Sequence, residues 1–265
     1  MRVLQGAGGT PGRVLVVDAL GNGDYTTIQA AINAAYGQGP TAVNPWLVLV
    51  APGSYQESLT LYDYVHVAGL APNRAAYINV NGASAILNGA TCTLANLRIA
   101  GDASPIVEVN MGTLRLRHVI IENDDPGVDG LNVSGGVVEV LGSEVQAGGS
   151  ALALSAGMAR VYDSILRRYH TIAGAASEPA VEVSNGTLHV VRSVVENASP
   201  DGPALQFTGA PVEAKLLQSI FRKASGTYAI DAALAVSVVI AACLVNGSIH
   251  PNVSGLVSYT EDATI

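Results

Sequence analysis

The chain has 265 residues, of which 49% are apolar, 13% charged and 5% aromatic, with 29 glycines and a formal net charge of -8. That length and apolar fraction support a buried core and place the chain outside the low-hydrophobicity, high-charge class of disordered sequences. With 21 acidic against 13 basic residues there is no cationic footprint for nucleic acid, and a core so poor in rings must be packed from Val, Leu, Ile and Ala.

Residues 1–14 read as an N-terminal arm. Met1-Arg2 leads into the Gly-rich stretch Gln5 to Gly12 rather than a hydrophobic run, so no signal peptide is expected. Residues 15–46 read as a strand, Leu15-Val16-Val17-Asp18, then a turn, Gly21-Asn22-Gly23-Asp24, then a helix from Thr27 to Ala35. Ile28, Ala31, Ile32 and Ala35 fall on one face of that helix, and Thr26 or Thr27 suits its N-cap. A short helix here covers the open end of a repeat stack, whose first unit otherwise leaves its apolar cross-section in water.

Two runs in this region carry a family likeness: Val17-Asp18-Ala19-Leu20-Gly21-Asn22-Gly23-Asp24-Tyr25-Thr26-Thr27-Ile28-Gln29-Ala30-Ala31-Ile32, and Leu47-Val48-Leu49-Val50-Ala51-Pro52-Gly53-Ser54-Tyr55-Gln56-Glu57. Together they resemble the opening of pectinesterase-like proteins of the pectin lyase-like superfamily. The resemblance covers roughly the first 70 residues closely and implies a right-handed parallel β-helix, with shared residues that are architectural. It gives Glu57 a structural hydrogen-bonding role. The motifs expected of an active pectinesterase, similar to Gln-Asp-Thr, Asp-Phe-Ile-Phe-Gly and Leu-Gly-Arg-Pro-Trp, are missing from the sequence.

Residues 47–248 are repetitive. Segments aligned on Leu97, Val119, Ser143, Ser164, Ser193, Ser219 and Ala242 recur at intervals of 22, 24, 21, 29, 26 and 23 residues. Three positions earlier stand Leu94, Leu116, Val140, Val161, Val190, Leu216 and Val239; two positions later stand Ile99, Ile121, Val145, Leu166, Val195, Phe221 and Leu244. Both columns are apolar throughout, while the position just before the anchor is mostly polar or small. Within each repeat the period is two, as in Ile106-Val107-Glu108-Val109, Ala180-Val181-Glu182-Val183 and Ala204-Leu205-Gln206-Phe207. Gly112, Gly136, Gly157 and Gly186 follow such strands at one offset, where a positive φ turns the chain. About three short strands per repeat, without helical period, predict an all-β fold: a single-stranded right-handed parallel β-helix with a short N-terminal capping α-helix. A sandwich would show hairpin signals every 8 to 12 residues, which are scarce here.

The most apolar stretch, Ala232 to Val245, ends at Asn246-Gly247, short of the ~20 residues of a spanning helix, so no membrane partner is expected. Residues 249–265 read as a C-terminal cap or tail. Cys92 and Cys243 are the only cysteines, too few for a disulfide framework or a cysteine zinc site. With coils ~4.8 Å apart they are separated by roughly 29 Å, beyond disulfide reach.

Candidate site residues are few. Arg167, Arg168, Tyr169 and His170 open the longest loop between coils, which runs to Pro179, and are a possible glycan- or partner-binding group. Asp124, Asp125 and Asp129, with Glu122, offer hard oxygens to calcium, but Asp-Asp-Pro-Gly within this segment reads better as a solvated turn; no metal and no cofactor is expected. Asp163 and Arg192 occupy equivalent positions in successive repeats and read as a surface ion pair. His118, His170 and His189 are scattered. Five Asn-x-Ser/Thr sites, at Asn132, Asn185, Asn197, Asn246 and Asn252, are ascribed to chance.

The resulting expectation is a non-enzymatic structural or attachment protein. The resemblance adds that short relatives of this opening without catalytic motifs look like components of tailed-phage virions, such as fibres, spikes and capsid decorations. It thereby implies virion localisation, a homotrimer, and virion-protein or surface-glycan partners. The alternatives are an extracellular carbohydrate-active enzyme of esterase or lyase type and a glycan-binding β-helix module.

Overall fold

A computed structural model describes residues 13–71, 74–80, 85–88, 91–102, 104–123, 125–169, 178–199, 202–209, 212–224, 228–234, 236–255 and 257–261. The chain winds into a parallel β-solenoid. Three ladders run along it, and in each a strand pairs in parallel with its counterpart one coil away, as Leu114 with Val138, Ile121 with Val145 and Leu131 with Leu152. The first ladder begins at Arg13–Val17 and continues through Trp46–Val50 and Val65–Gly69. The second begins at Gly53–Gln56. These two meet at a sharp bend and join where the long strand Val236–Val245 passes through it. Nine strands, from Thr60–Tyr62 to Ser248–Ile249, form the third ladder among the described residues.

Period-two sequences produce this because alternate side chains of every strand point inward onto the equivalent residue of the next coil. The predicted inner columns Leu94, Leu116, Val140, Val161, Val190, Leu216 and Ile99, Ile121, Val145, Leu166, Val195, Phe221 are fully buried. Phe207 and Phe221 lie within this aliphatic interior as expected. The last repeat differs from the sequence alignment by one residue. Leu216 pairs with Ile240 rather than Val239, and Phe221 with Val245 rather than Leu244. Both faces of Val236–Val245 are apolar, so period two alone cannot choose between them. The equivalent of Ser219 is therefore Cys243, not Ala242.

The bend explains the polar column. Asn96, His118, Asp163, Arg192, Gln218 and Ala242 have φ between 49° and 53°, and Gly142 has φ 54°. Left-handed backbone turns the chain in one residue, and solvent-facing side chains tolerate it at a cost of about 1 kcal/mol each. The turn interrupts the ladder, and the following residue repairs it. Ser143, Ser164, Ser193 and Ser219 accept the N–H of Val119, Ser143, Ser164 and Ser193 on the preceding coil at 3.1–3.2 Å. Each hydroxyl also donates to the carbonyl two residues earlier. The stacked serines thus satisfy buried backbone groups that the bend would orphan. Cys243 takes the same place, its Sγ donating to Leu216 O at 3.2 Å. Both cysteines are buried and free, and burial pushes the Cys92 thiol up to about 12.

Gly136, Gly157 and Gly186 stack at another corner with φ of 69°, 82° and 106°. A Cβ on Gly157 would come within 2.3 Å of Gly136 O, so neither the conformation nor the space admits a side chain.

The helix Ile28–Tyr36 closes the N-terminal end on Ile28, Ala31, Ile32 and Ala35, the face expected from its spacing. Its cap differs. Thr27 is at the N-cap but its side chain makes no capping hydrogen bond; instead Glu57 accepts the N–H groups of Ile28 and Gln29 at 2.7 and 2.8 Å. A carboxylate satisfies two orphan donors and meets the positive end of the helix dipole, which a threonine hydroxyl cannot do. Gln29 in turn accepts the N–H of Thr60 at 2.7 Å and donates to its carbonyl at 3.3 Å, closing the exposed edge of the third ladder. At the other end, Val253–Ser254 and Val257–Glu261 add parallel rungs to Val236–Val245. Among the described residues no helix is long and apolar enough to cross a membrane.

Candidate functional site

The residues grouped by sequence around the longest loop do not form one surface. Ile165–Arg168 alternates outward and inward, so Arg167 faces out and Arg168 faces in. Arg167 donates to Glu196 on the next coil at 2.9 Å. Arg168 is 1% exposed, and its guanidinium donates to Gly148 O at 3.2 Å and Glu178 O at 2.8 Å. Leu166 already pointed into the core, so a residue two positions on must do the same. Arg168 is out of reach of a surface ligand; it ties the returning end of the loop to the solenoid. Tyr169 is half-buried, and His170 lies outside the described residues.

The acidic segment also divides. Asp124 lies outside the described residues, Asp125 is exposed, and Asp129 turns inward to accept the Ser150 N–H at 2.8 Å. Burial raises the Asp129 carboxyl above its ordinary value; the Ser150 hydrogen bond opposes this, and the charges of Glu178 and Glu182 reinforce it. Among the described residues no three His, Cys, Asp or Glu side chains converge on a point where a metal ion would fit. Asp163 and Arg192 do pair, with two contacts of 2.8 Å on the exposed bend. The Arg192 hydrogen bond holds the Asp163 carboxyl below the usual range.

Along the third ladder, one outward column contains Glu108, Asn132, Ala153, Glu182, Gln206 and Asp231. Thr208 donates to Glu182 and Gln206 donates to Asp231, both at 3.1 Å. No carboxylate in this column has another on the adjacent coil, so the column provides no close acid–base pair.

Among the described residues a concave feature lies on the outer face of the second ladder. A groove of ≈ 370 Å³ is lined by Tyr77, Asn79, Ala100, Gly101, Asp102, Glu122, Asn123 and Asp125. Strand Ala76–Val80 buries Ala76, Ile78 and Val80, which turns Tyr77 and Asn79 outward. One coil on, Arg98 sits beside Tyr77 with its guanidinium carbon 5.4 Å from the ring centroid. Arg98 also pairs with Glu122 on the following coil, and that hydrogen bond raises the arginine's pKa. The Asn123 side chain donates to Gly101 O and accepts the Asp125 N–H, an Asx turn that shapes the groove floor. The site is thus an aromatic ring held by a cation–π contact, beside three carboxylates and an outward amide. It has no imidazole or thiol. Sequence reading reached Glu122 and Asp125 but missed Tyr77, Asn79 and Asp102. The signal was available in the alternation of Ala76–Val80, one coil before the repeats were first aligned.

No family model matches the chain, and no curated protein matches it. Among solved structures, the Azotobacter vinelandii mannuronan C-5 epimerase AlgE6 A-module aligns over 86% of this chain and 83% of its own, at 16% identity and a TM-score of 0.35. The AlgE4 A-module of the same organism aligns over 83% of each chain, at 14% identity and a TM-score of 0.28. Likeness at that level transfers no residue's role to this chain.

Proposed function

We propose that this chain is a carbohydrate-related β-helix that holds a neutral glycan in the groove beside Tyr77 without turning it over. The observation that carries the reading is the make-up of that groove: a positioned aromatic ring with a few convergent polar groups, on a rigid stack. Sugar C–H faces pack on a ring, and carboxylates accept hydroxyl protons in charge-assisted hydrogen bonds. With Glu122 offset by Arg98, Asp102 and Asp125 still leave the groove negative, which disfavours the acidic polysaccharides of esterases and lyases. The chain's missing pectinesterase motifs and the dispersed acids of the third ladder favour holding over chemistry.

Calorimetric titration with neutral and uronate oligosaccharides tests this. Neutral glycans are expected to bind, and Tyr77→Ala to weaken binding at least about tenfold at unchanged melting temperature. Tyr169→Ala is expected to leave binding intact; loss of binding in that variant alone would move the site to the loop after Arg167.

The finer form of the reading is a homotrimeric attachment rod of a tailed-phage virion. It rests on the likeness of the opening segment and the missing catalytic motifs, and the comparisons lend it no support. Sedimentation giving a monomer at micromolar concentration would count against the trimer.

A further inference from the structure

Positive charge recurs on the outer face of the first ladder of this acidic chain. On the outer face of the first ladder, Arg115 pairs across coils with Thr93 on one side and Glu139 on the other. In the neighbouring column Arg117 lies between Ala95 and Leu141, so no carboxylate stands beside it in its own column. His66 is outward on the strand two coils before them, next to the buried patch of Leu47, Ala68 and Ala95. Arg74 reaches over the bend and donates to His118 O at 2.9 Å and Gly142 O at 3.5 Å. The carboxylate paired with this group is Glu139, which Arg115 shares with Arg160 at 2.8 and 2.9 Å.

Two polar atoms in the cluster have no hydrogen-bond partner among the described residues. Nδ1 of His66 and Nε of Arg117 are buried without a hydrogen-bond partner. A buried polar group left unpaired is destabilising, and it calls for an explanation such as an ordered water, an ion or a ligand. The His66 imidazole is also held below its ordinary pKa, first by burial and then by the Arg115 and Arg117 charges.

We propose that His66, Arg115 and Arg117 form a binding site for an oxyanion, a carboxylate, sulfate or phosphate group carried by a ligand. A guanidinium fork matches such a group in geometry and charge, and Thr93, between the two levels, adds a hydroxyl. The site is on a different ladder from the Tyr77 groove and does not depend on it.

The test follows the His66 ring by NMR in the full chain while inorganic sulfate, inorganic phosphate or oligogalacturonate is added, with chloride at matched ionic strength as control. Saturable shifts of the His66 ring signals with at least one oxyanion, absent with chloride, are expected. Sulfate or phosphate acting alone identifies a free-anion site, and tighter binding of the uronate identifies a sugar-borne group. Arg117→Gln should weaken binding about tenfold or more, whereas Arg192→Gln, at an exposed pair elsewhere, should not. Chloride-like behaviour of every oxyanion with the wild-type chain overturns the proposal, and so does full retention of binding in Arg117→Gln. The wild-type titration stands by itself if the variant fails to fold.

Discussion

Arg168 shows how much a single side chain can be misjudged from its type. Arginine beside tyrosine in a loop suggests recognition, but its phase in the strand places the guanidinium among backbone carbonyls at 1% exposure. Removing it takes the donor from the Gly148 carbonyl, leaves the Glu178 carbonyl to Asn197 alone and opens a buried space, so Arg168→Ala is expected to lower stability by about 3 kcal/mol in denaturant unfolding. A loss below about 1 kcal/mol would show that the contacts are not formed. Glu139 gives the corresponding pH signature. Burial pushes its carboxyl up, but hydrogen bonds from Arg115 and Arg160, with their charges, outweigh this and leave its pKa below the ordinary value. A depressed carboxylate stabilises the fold above its unfolded pKa, and that contribution disappears as pH falls through the folded value. Glu139→Gln should therefore reduce stability at neutral pH and converge with wild type in acid; parallel curves would contradict the assignment.

At the scale of elements, the repeat columns were legible because inner residues obey one rule, period two, repeated coil after coil. Where that rule loses contrast, so did the reading. Val236–Val245 is apolar on both faces, and its register became clear only with the position of the left-handed residue, Ala242. Long-range capping was legible only in part: the resemblance gave Glu57 a structural hydrogen-bonding role, which the structure bears out, but not the helix as its partner. Local sequence offered Thr27, whereas the donors of the helix are met by Glu57, 29 residues away from Ile28. Glu57→Ala is expected to cost about 1–2 kcal/mol and to fray the helix Ile28–Tyr36, seen as earlier hydrogen exchange at Ile28 and Gln29. Thr27→Ala should have little effect. If the threonine variant proves the more damaging, the capping scheme is wrong.

For the molecule as a whole, the shortage of aromatics and of charge follows from the solenoid. Stacked coils leave room for Val, Leu, Ile and Ala, and much of the described outer charge is used in ion pairs between coils, such as Arg98 with Glu122, Arg115 with Glu139 and Arg167 with Glu196. Two features stand out against that regular background: a groove of aromatic, amide and carboxylate groups on one face, and a cluster of cations on another. Neither was visible as a sequence motif, because each is assembled from residues one or two coils apart in the chain. The most direct measurement of the central claim is NMR of a neutral oligosaccharide before, during and after incubation with the wild-type chain. Line broadening of sugar signals that disappears in Tyr77→Ala, with the recovered sugar unchanged, is the predicted result; new anomeric signals, or identical broadening by the variant, would contradict it.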